Sequence, residues 1–189
     1  MHIAIEGLDG VGKTTVAKIL ADRLNFEFIE KPLHLLTDSD NKLDNYLRII
    51  AKLNSVNDPI FNAVFYGAGN LYLSKIAHKR HVITDRHICS TYYWNAVKEN
   101  EEFFDYLHKA CGNPNLTVIL FANVAERIKR ITARNPKDPD FCKVVDDDYQ
   151  KILECVQKYQ MRYMFIDSSD LTVSEVIEMI LTEWRSLNG

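Results

Sequence analysis

No stretch of this chain approaches the about 18 uninterrupted apolar residues that a membrane-crossing helix needs. The first residues carry neither the basic region nor the long apolar run of a secretory signal. A cytoplasmic protein with no membrane contact is therefore the expectation. The four cysteines, Cys89, Cys111, Cys142 and Cys155, form no C-x-x-C pair and have no histidines at zinc-ligand spacing. They are expected as reduced, mostly packed thiols. Charge of one sign is missing too: 23 Lys and Arg stand against 26 Asp and Glu, a formal net charge of -3, which removes any bulk attraction to nucleic acid or an anionic membrane. Neither is expected as a partner. No repeat and no low-complexity linker divides the 189 residues, and at 47% hydrophobic the chain can bury one sizeable core. One domain spanning 1–189 is expected.

Against these absences stands one dense signal near the N-terminus. The apolar run Ile3-Ala4-Ile5 leads into G-L-D-G-V-G-K-T-T over residues 7 to 15, and Val16, Ile19, Leu20 and Leu24 then fall on one helical stripe. Gly7, Gly12, Lys13 and Thr14 satisfy the pattern G-x-x-x-x-G-K-[ST]. Strand before and helix after is the context this pattern needs. Glycines at 7, 10 and 12 let the backbone curl so that successive N–H groups converge on phosphate oxygens, at the positive end of the following helix. Lys13 is expected to reach the outer phosphates and the Thr14 hydroxyl to ligate Mg²⁺.

Strand and helix alternate through the rest of the chain. Residues 26 to 30 read as a second strand ended by Pro32, residues 33 to 41 as a polar loop, and 42 to 54 as a helix. A longer helix is expected from 59 to about 80, with Phe61, Phe65, Leu71 and Ile76 among its buried candidates. A short buried strand, 81 to 85, ends in a carboxylate, Asp85. Residues 116 to 121 form the most continuous apolar run and are expected as a central strand. A helix over 126 to 134 breaks at Asn135-Pro136, and Pro136 and Pro139 mark an exposed loop. A helix at 146 to 159, a strand at 163 to 167 and a helix at 172 to 187 complete the chain. The pattern predicts a three-layer α/β fold of the P-loop NTPase type, with five mostly parallel strands flanked by helices. In such sheets ligands bind beyond the carboxyl ends of the strands, which brings residues 7 to 15, Glu30, Asp85 and the loop after Phe121 to one edge.

A phosphate loop implies a nucleotide without fixing the reaction. A base-reading N-K-x-D segment, which a small G protein needs, is absent, and a motor needs far more chain. A small kinase needs a second pocket for the acceptor and a few cations over the transferring phosphoryl group. The motifs resemble those of thymidylate kinases and their nucleoside monophosphate kinase relatives. The loop from Gly7 to Thr15 carries an acidic residue, Asp9, in the same third position; Asp85-Arg86-His87 followed by Ser90-Thr91 is similar to the family's D-R-[YH]-x-x-S. Asn113-Pro114-Asn115-Leu116 and Glu126-Arg127 with Arg130 look like its P-D-L strand entry and lid helix.

The resemblance implies ATP-dependent phosphoryl transfer with Mg²⁺ to a nucleoside monophosphate, dTMP foremost. It implies ATP binding by Gly7, Asp9, Gly10, Val11, Gly12, Lys13, Thr14, Thr15 and Arg130. Lys13, Asp85, Arg86 and Arg134 are the implied catalytic groups, with Thr14 and Asp85 at the metal. Asp9, Lys31, Phe65, Arg86, Ser90, Thr91 and Trp94 are implied on the acceptor side. Gly10 and Val11 supply no arginine within the loop, so the lid, expected at about 127 to 145, must supply one. Of Arg127, Lys129 and Arg130, at least two are expected on a solvated helix face. The chain departs from the family where an aromatic residue is followed four positions later by the arginine that grips the acceptor phosphate. Phe65 keeps the ring, but Gly69 stands in place of the guanidinium, and no arginine lies between Arg48 and Arg80. Lys31, Arg48 and Arg86 are the candidates to substitute. A deoxynucleoside kinase with Glu30 as base, or a nucleotide-binding module without turnover, remains the alternative. The oligomeric state stays open, a homodimer included.

Overall fold

The computed structural model describes residues 1–38, 43–135 and 148–188. One sheet of five strands runs in the order β2-β3-β1-β4-β5, with every neighbouring pair parallel. Its strands are β1 (His2–Gly7), β2 (Glu27–Glu30), β3 (Val82–Asp85), β4 (Leu116–Phe121) and β5 (Tyr163–Asp167). The longer helices are α1 (Lys13–Leu24), α2 (Asp44–Val56), α3 (Pro59–Ala77), α4 (Ile88–Asn95), α5 (Glu101–Cys111), α6 (Val124–Arg134), α7 (Gln150–Lys158) and α8 (Val173–Asn188).

Strand composition follows position in the sheet. Every residue of β3 is buried, as are all but one in β1 and β4, which is what helices on both faces of a parallel sheet require. The outer strands are less buried: β5 alternates between exposed and buried or half-buried positions, and β2 buries only Ile29 fully. The run 116 to 121 is an interior strand as its composition suggests, but the centre of the sheet is β1, held between β3 and β4. The register pairs Ile5 with Asp85, Glu30 with Asp85, Gly7 with Leu120 and Phe121 with Asp167. The carboxyl ends expected to meet at one edge do so.

Two expectations fail on the β2 side. Residues after Pro32 are not a polar loop: Pro32–Leu36 is a 3-10 helix with Leu33 and His34 buried. Proline's fixed φ suits the first position of such a turn. Of the expected loop, residues 39–41 lie outside the described residues, as does residue 42 of the expected helix. On α3, Phe61 and Phe65 are 40% and 37% exposed and lie against each other, not in the core. The buried face instead carries Ala63, Gly67, Asn70, Leu73 and Ser74, spaced as one helical stripe. This helix is apolar all round, so the hydrophobic pattern alone does not say which side faces inward. Leu71 and Ile76 are half-buried, as expected of packed residues. Among the described residues no helix is long and apolar enough to cross a membrane.

Candidate active site

The turn between β1 and α1 wraps over the sheet edge with Gly7, Gly10 and Gly12 at φ of 137°, 87° and 95°, a region that glycine enters without steric cost. It forms the floor of a cleft of about 470 Å³ lined by Asp9, Gly10, Val11, Gly12, Lys13, Thr14, Thr15, Lys31, Asp85, Arg86, Arg130 and Arg134, among others. Nearly the whole predicted donor site is thus brought into one cavity. Gly7 lies at the strand end beneath it, paired with Leu120.

Lys13 is only 6% exposed; its ammonium donates to the Leu8 carbonyl at 2.6 Å and lies 3.9 Å from Asp9 Oδ1. Burial, and next the Arg86 charge, lower its pKa to about 8, against the opposing pull of Asp9, Asp85 and Glu6. The ion pair with Asp9 is too long and too shared to reverse that. Arg86 shows the opposite balance: burial disfavours its charge, but the carboxylates of Asp9, Asp85 and Glu6 together raise its pKa. Its Nη2 donates to Asp9 Oδ1 and its Nη1 to Ser90 Oγ at 3.2 Å. Asp85 accepts the Thr14 hydroxyl on Oδ2, while its Oδ1 is buried without a hydrogen-bond partner.

Helix α6 is wired to the back of the loop. Arg127 is 2% exposed and its Nε donates to the Asp9 carbonyl at 2.8 Å. Arg130 Nη1 donates to the Val11 carbonyl at 3.1 Å, and its Nη2 to the Ser168 carbonyl at 2.7 Å. A Cβ on Gly10 would stand 2.9 Å from the Arg127 carbonyl, so glycine there lets helix and loop touch. The expected solvated face holds only for Lys129, whose side chain is 76% exposed. Contact with the loop's backbone carbonyls explains the other two. Arg134 is exposed on the cleft wall at the end of α6. The remainder of the expected lid, from 136 to 145, and the loop of Pro136 and Pro139 lie outside the described residues.

The acceptor-side residues divide. Asp9, Lys31 and Arg86 line the cleft, whereas Phe65, Ser90, Thr91 and Trp94 do not. Ser90 and Thr91 are buried in internal bonds: Ser90 Oγ donates to Glu6, and Thr91 Oγ1 accepts from Asn70 Nδ2 at 2.9 Å. Trp94 is 46% exposed and stands edge-on to Tyr93. Lys31 holds φ of 53°, with Nζ 3.2 Å from Glu30 Oε1 and 5.8 Å from the centre of the Tyr46 ring. Arg48 is exposed and donates to Asn45 on its own helix at 3.1 Å.

Gly69 explains the missing arginine. A Cβ there would lie 2.4 Å from the backbone of Leu33, because the 3-10 helix packs directly onto α3. No side chain fits at 69. Sequence reasoning also missed Glu6, Arg127, Ser168, Leu171, Val173 and Val176; the last four line the same cleft. The only advance signal was the E-R pair at 126–127, and the loop between β5 and α8 carries no motif.

The family model for thymidylate kinase matches residues 5–180. The chain is 26% identical over 189 aligned positions to a probable thymidylate kinase of Methanococcus maripaludis, covering 95% of this chain and 92% of that one. Among solved structures it is similar to deoxyadenosine kinase from M. mycoides with products dCMP and a flexible dCDP bound, at TM-score 0.65 and 17% identity over 98% of this chain and 100% of that one. It is similar as well to thymidylate kinase from Candida albicans, at TM-score 0.65 and 19% identity over 100% and 93%. At these identities the two structures speak for the shared fold. The match across nearly the whole length, on a sheet edge that already assembles the phosphate loop with its arginines, makes this chain a member of the thymidylate kinase family of P-loop nucleotide kinases.

Proposed function

We propose that the chain transfers the γ-phosphoryl group of ATP to dTMP, giving dTDP and ADP. One observation carries this reading: among the described residues, Lys13, Lys31, Arg86, Arg130 and Arg134 line the same cleft as two carboxylates, Asp9 and Asp85. That excess of cations suits two phosphate chains brought end to end. An oxygen of the acceptor phosphate attacks the γ-phosphorus while its bond to the bridging oxygen of ADP breaks. No side chain forms a covalent bond, so the protein's contribution is alignment and charge neutralisation. Lys13 and the loop N–H groups hold the donor phosphates, Arg86 lies between the two chains, and Arg134 neutralises from the α6 side. Asp9 meets the acceptor sugar, and Lys31 its phosphate.

The residues present fit Mg²⁺. The buried, unpartnered Asp85 Oδ1 and the Thr14 hydroxyl are hard oxygen donors of the type this ion takes, and they would hold it or its waters. When bound, the ion neutralises charge on the donor's outer phosphate oxygens.

A second reading, a deoxynucleoside kinase, is favoured by one feature: the contact at Gly69 closes the position from which an arginine would grip an acceptor phosphate. The two readings separate on product identity. The protein incubated with ATP, Mg²⁺ and dTMP should release ADP and yield dTDP by mass. ADP release only with a nucleoside would transfer the assignment to the second reading.

A further inference from the structure

The motif residues account for the cleft but not for Glu6, a carboxylate with 0% exposure in the strand that feeds the loop. Its Oε1 accepts from the backbone N–H groups of His87, Cys89 and Ser90 at 2.9, 3.1 and 3.3 Å, and its Oε2 accepts the Ser90 hydroxyl. A carboxylate buried this completely is costly unless every lone pair finds a donor. Here four donors and the nearby Arg86 charge stabilise it, although burial still raises its pKa.

Part of this is helix capping. α4 begins just after His87, which supplies no side-chain cap of its own. Glu6 takes the first-turn N–H groups from another strand, where the helix dipole favours negative charge. Capping does not require Ser90, however. An ionised carboxylate only accepts, so the single Ser90 proton must point to Glu6, and its oxygen is left facing Arg86 Nη1. The other end of the guanidinium donates to Asp9 on the phosphate loop. The backbone of Arg86 is itself held in the left-handed region, at φ of 76°, with its N–H on the Ile5 carbonyl at 2.9 Å. A continuous line therefore runs from the centre of the sheet through Glu6, Ser90 and Arg86 to Asp9.

We infer that Glu6 is a positioning residue for phosphoryl transfer, orienting Ser90 Oγ so that the Arg86 guanidinium is held between the donor and acceptor phosphates. This rests on the kinase reading above and holds for whichever acceptor is used. Glu6→Gln separates capping from positioning. Its carbonyl oxygen still accepts from the three N–H groups, but its NH₂ now faces Ser90 Oγ. That oxygen would then meet two donors, and its own proton would lose its acceptor. Ser90→Ala removes the link and leaves the cap intact; Ser90→Thr restores a hydroxyl.

With the acceptor that the wild type uses, Glu6→Gln and Ser90→Ala should each lower kcat by about tenfold, with the KM for ATP within about twofold. The double variant should be no worse than the weaker single one, since both break one line. Ser90→Thr should recover kcat to within about threefold. Lowered thermal midpoints with kcat within twofold of wild type would leave Glu6 a helix cap and overturn the inference. If Glu6→Gln fails to fold, the contrast between Ser90→Ala and Ser90→Thr decides. A shift from dTMP to another acceptor defeats the proposed substrate without touching this comparison, whereas a wild type that turns over no acceptor defeats both.

Discussion

The two sides of the cleft are built in different ways. On the donor side, a contiguous loop meets one helix, and α6 reaches the loop's backbone through Arg127 and Arg130. On the proposed acceptor side, the cleft residues come from separate elements, Lys31 at the end of β2 and Arg86 after β3; the 3-10 helix packed on α3 and the start of α4 at Ser90 lie outside the lining. The donor side grips a phosphate chain common to many enzymes, so its geometry is fixed by backbone. The proposed acceptor side has to recognise one molecule, and it relies on groups that can change place, such as the Lys31 side chain. Gly69 shows such a change, because the site of an expected cation is filled by a neighbouring backbone at 2.4 Å from a Cβ built there.

Removing the donor grip should have the largest effect. Lys13→Ala should lose at least ~10²-fold in kcat, roughly 2.7 kcal/mol of transition-state stabilisation. Near-normal turnover in steady-state assays would end the kinase reading altogether. Asp85→Asn keeps shape and removes charge, and should cost about 30-fold in kcat with a raised Mg²⁺ requirement, read from a Mg²⁺ titration at saturating nucleotide. A folded variant with unchanged metal dependence would make Asp85 a purely structural partner of Thr14.

The acceptor side is sharpened by a pair of variants. Lys31→Ala should raise the KM for dTMP about tenfold, roughly 1.4 kcal/mol, with the KM for ATP hardly moved. Arg48→Ala should change neither, because Arg48 faces solvent and bonds within its own helix. The reverse result would move the phosphate grip to α2.

Lys13 provides a smaller, pH-dependent effect. Its pKa of about 8 in the free cleft is set by burial and by Arg86, while the phosphates bind the ammonium form and raise that pKa. Below pH 8 the ammonium is already present; above it, binding must take up a proton. ATP affinity should therefore fall by roughly tenfold between pH 7 and pH 9. Calorimetry in buffers of different ionisation enthalpy should show net proton uptake near pH 9, and Lys13→Ala should abolish that uptake. Proton release would contradict the sign.

The same division explains what was legible in the sequence. Strand order aside, the parallel sheet and the phosphate loop were readable because interior strands must be apolar and the loop must contain glycine. The 3-10 helix was not, because Thr37 and Asp38 beyond it look like ordinary loop and its partner, Gly69, lies on another element. Phe61 and Phe65 were misplaced because α3 is apolar on every side, so only its small residues reveal the packed face. Arg127 looked like a solvated charge; burial against the Asp9 carbonyl is a tertiary fact with no local pattern. Glu6 was hidden for the same reason, being one polar residue in an apolar strand whose donors are some 80 positions away.

We propose an intact phosphoryl-donor site that works with a rebuilt acceptor grip still able to take a phosphate. It is tested most directly by comparing kcat/KM for dTMP with those for thymidine and deoxycytidine, under saturating ATP and Mg²⁺, with product masses recorded. A dTMP value at least about tenfold above either nucleoside is predicted, because Lys31 and Arg86 offer cationic partners to a dianion that a hydroxyl does not use. A nucleoside value above that of dTMP would contradict it, and would make the closed position at Gly69 the truer guide to the substrate.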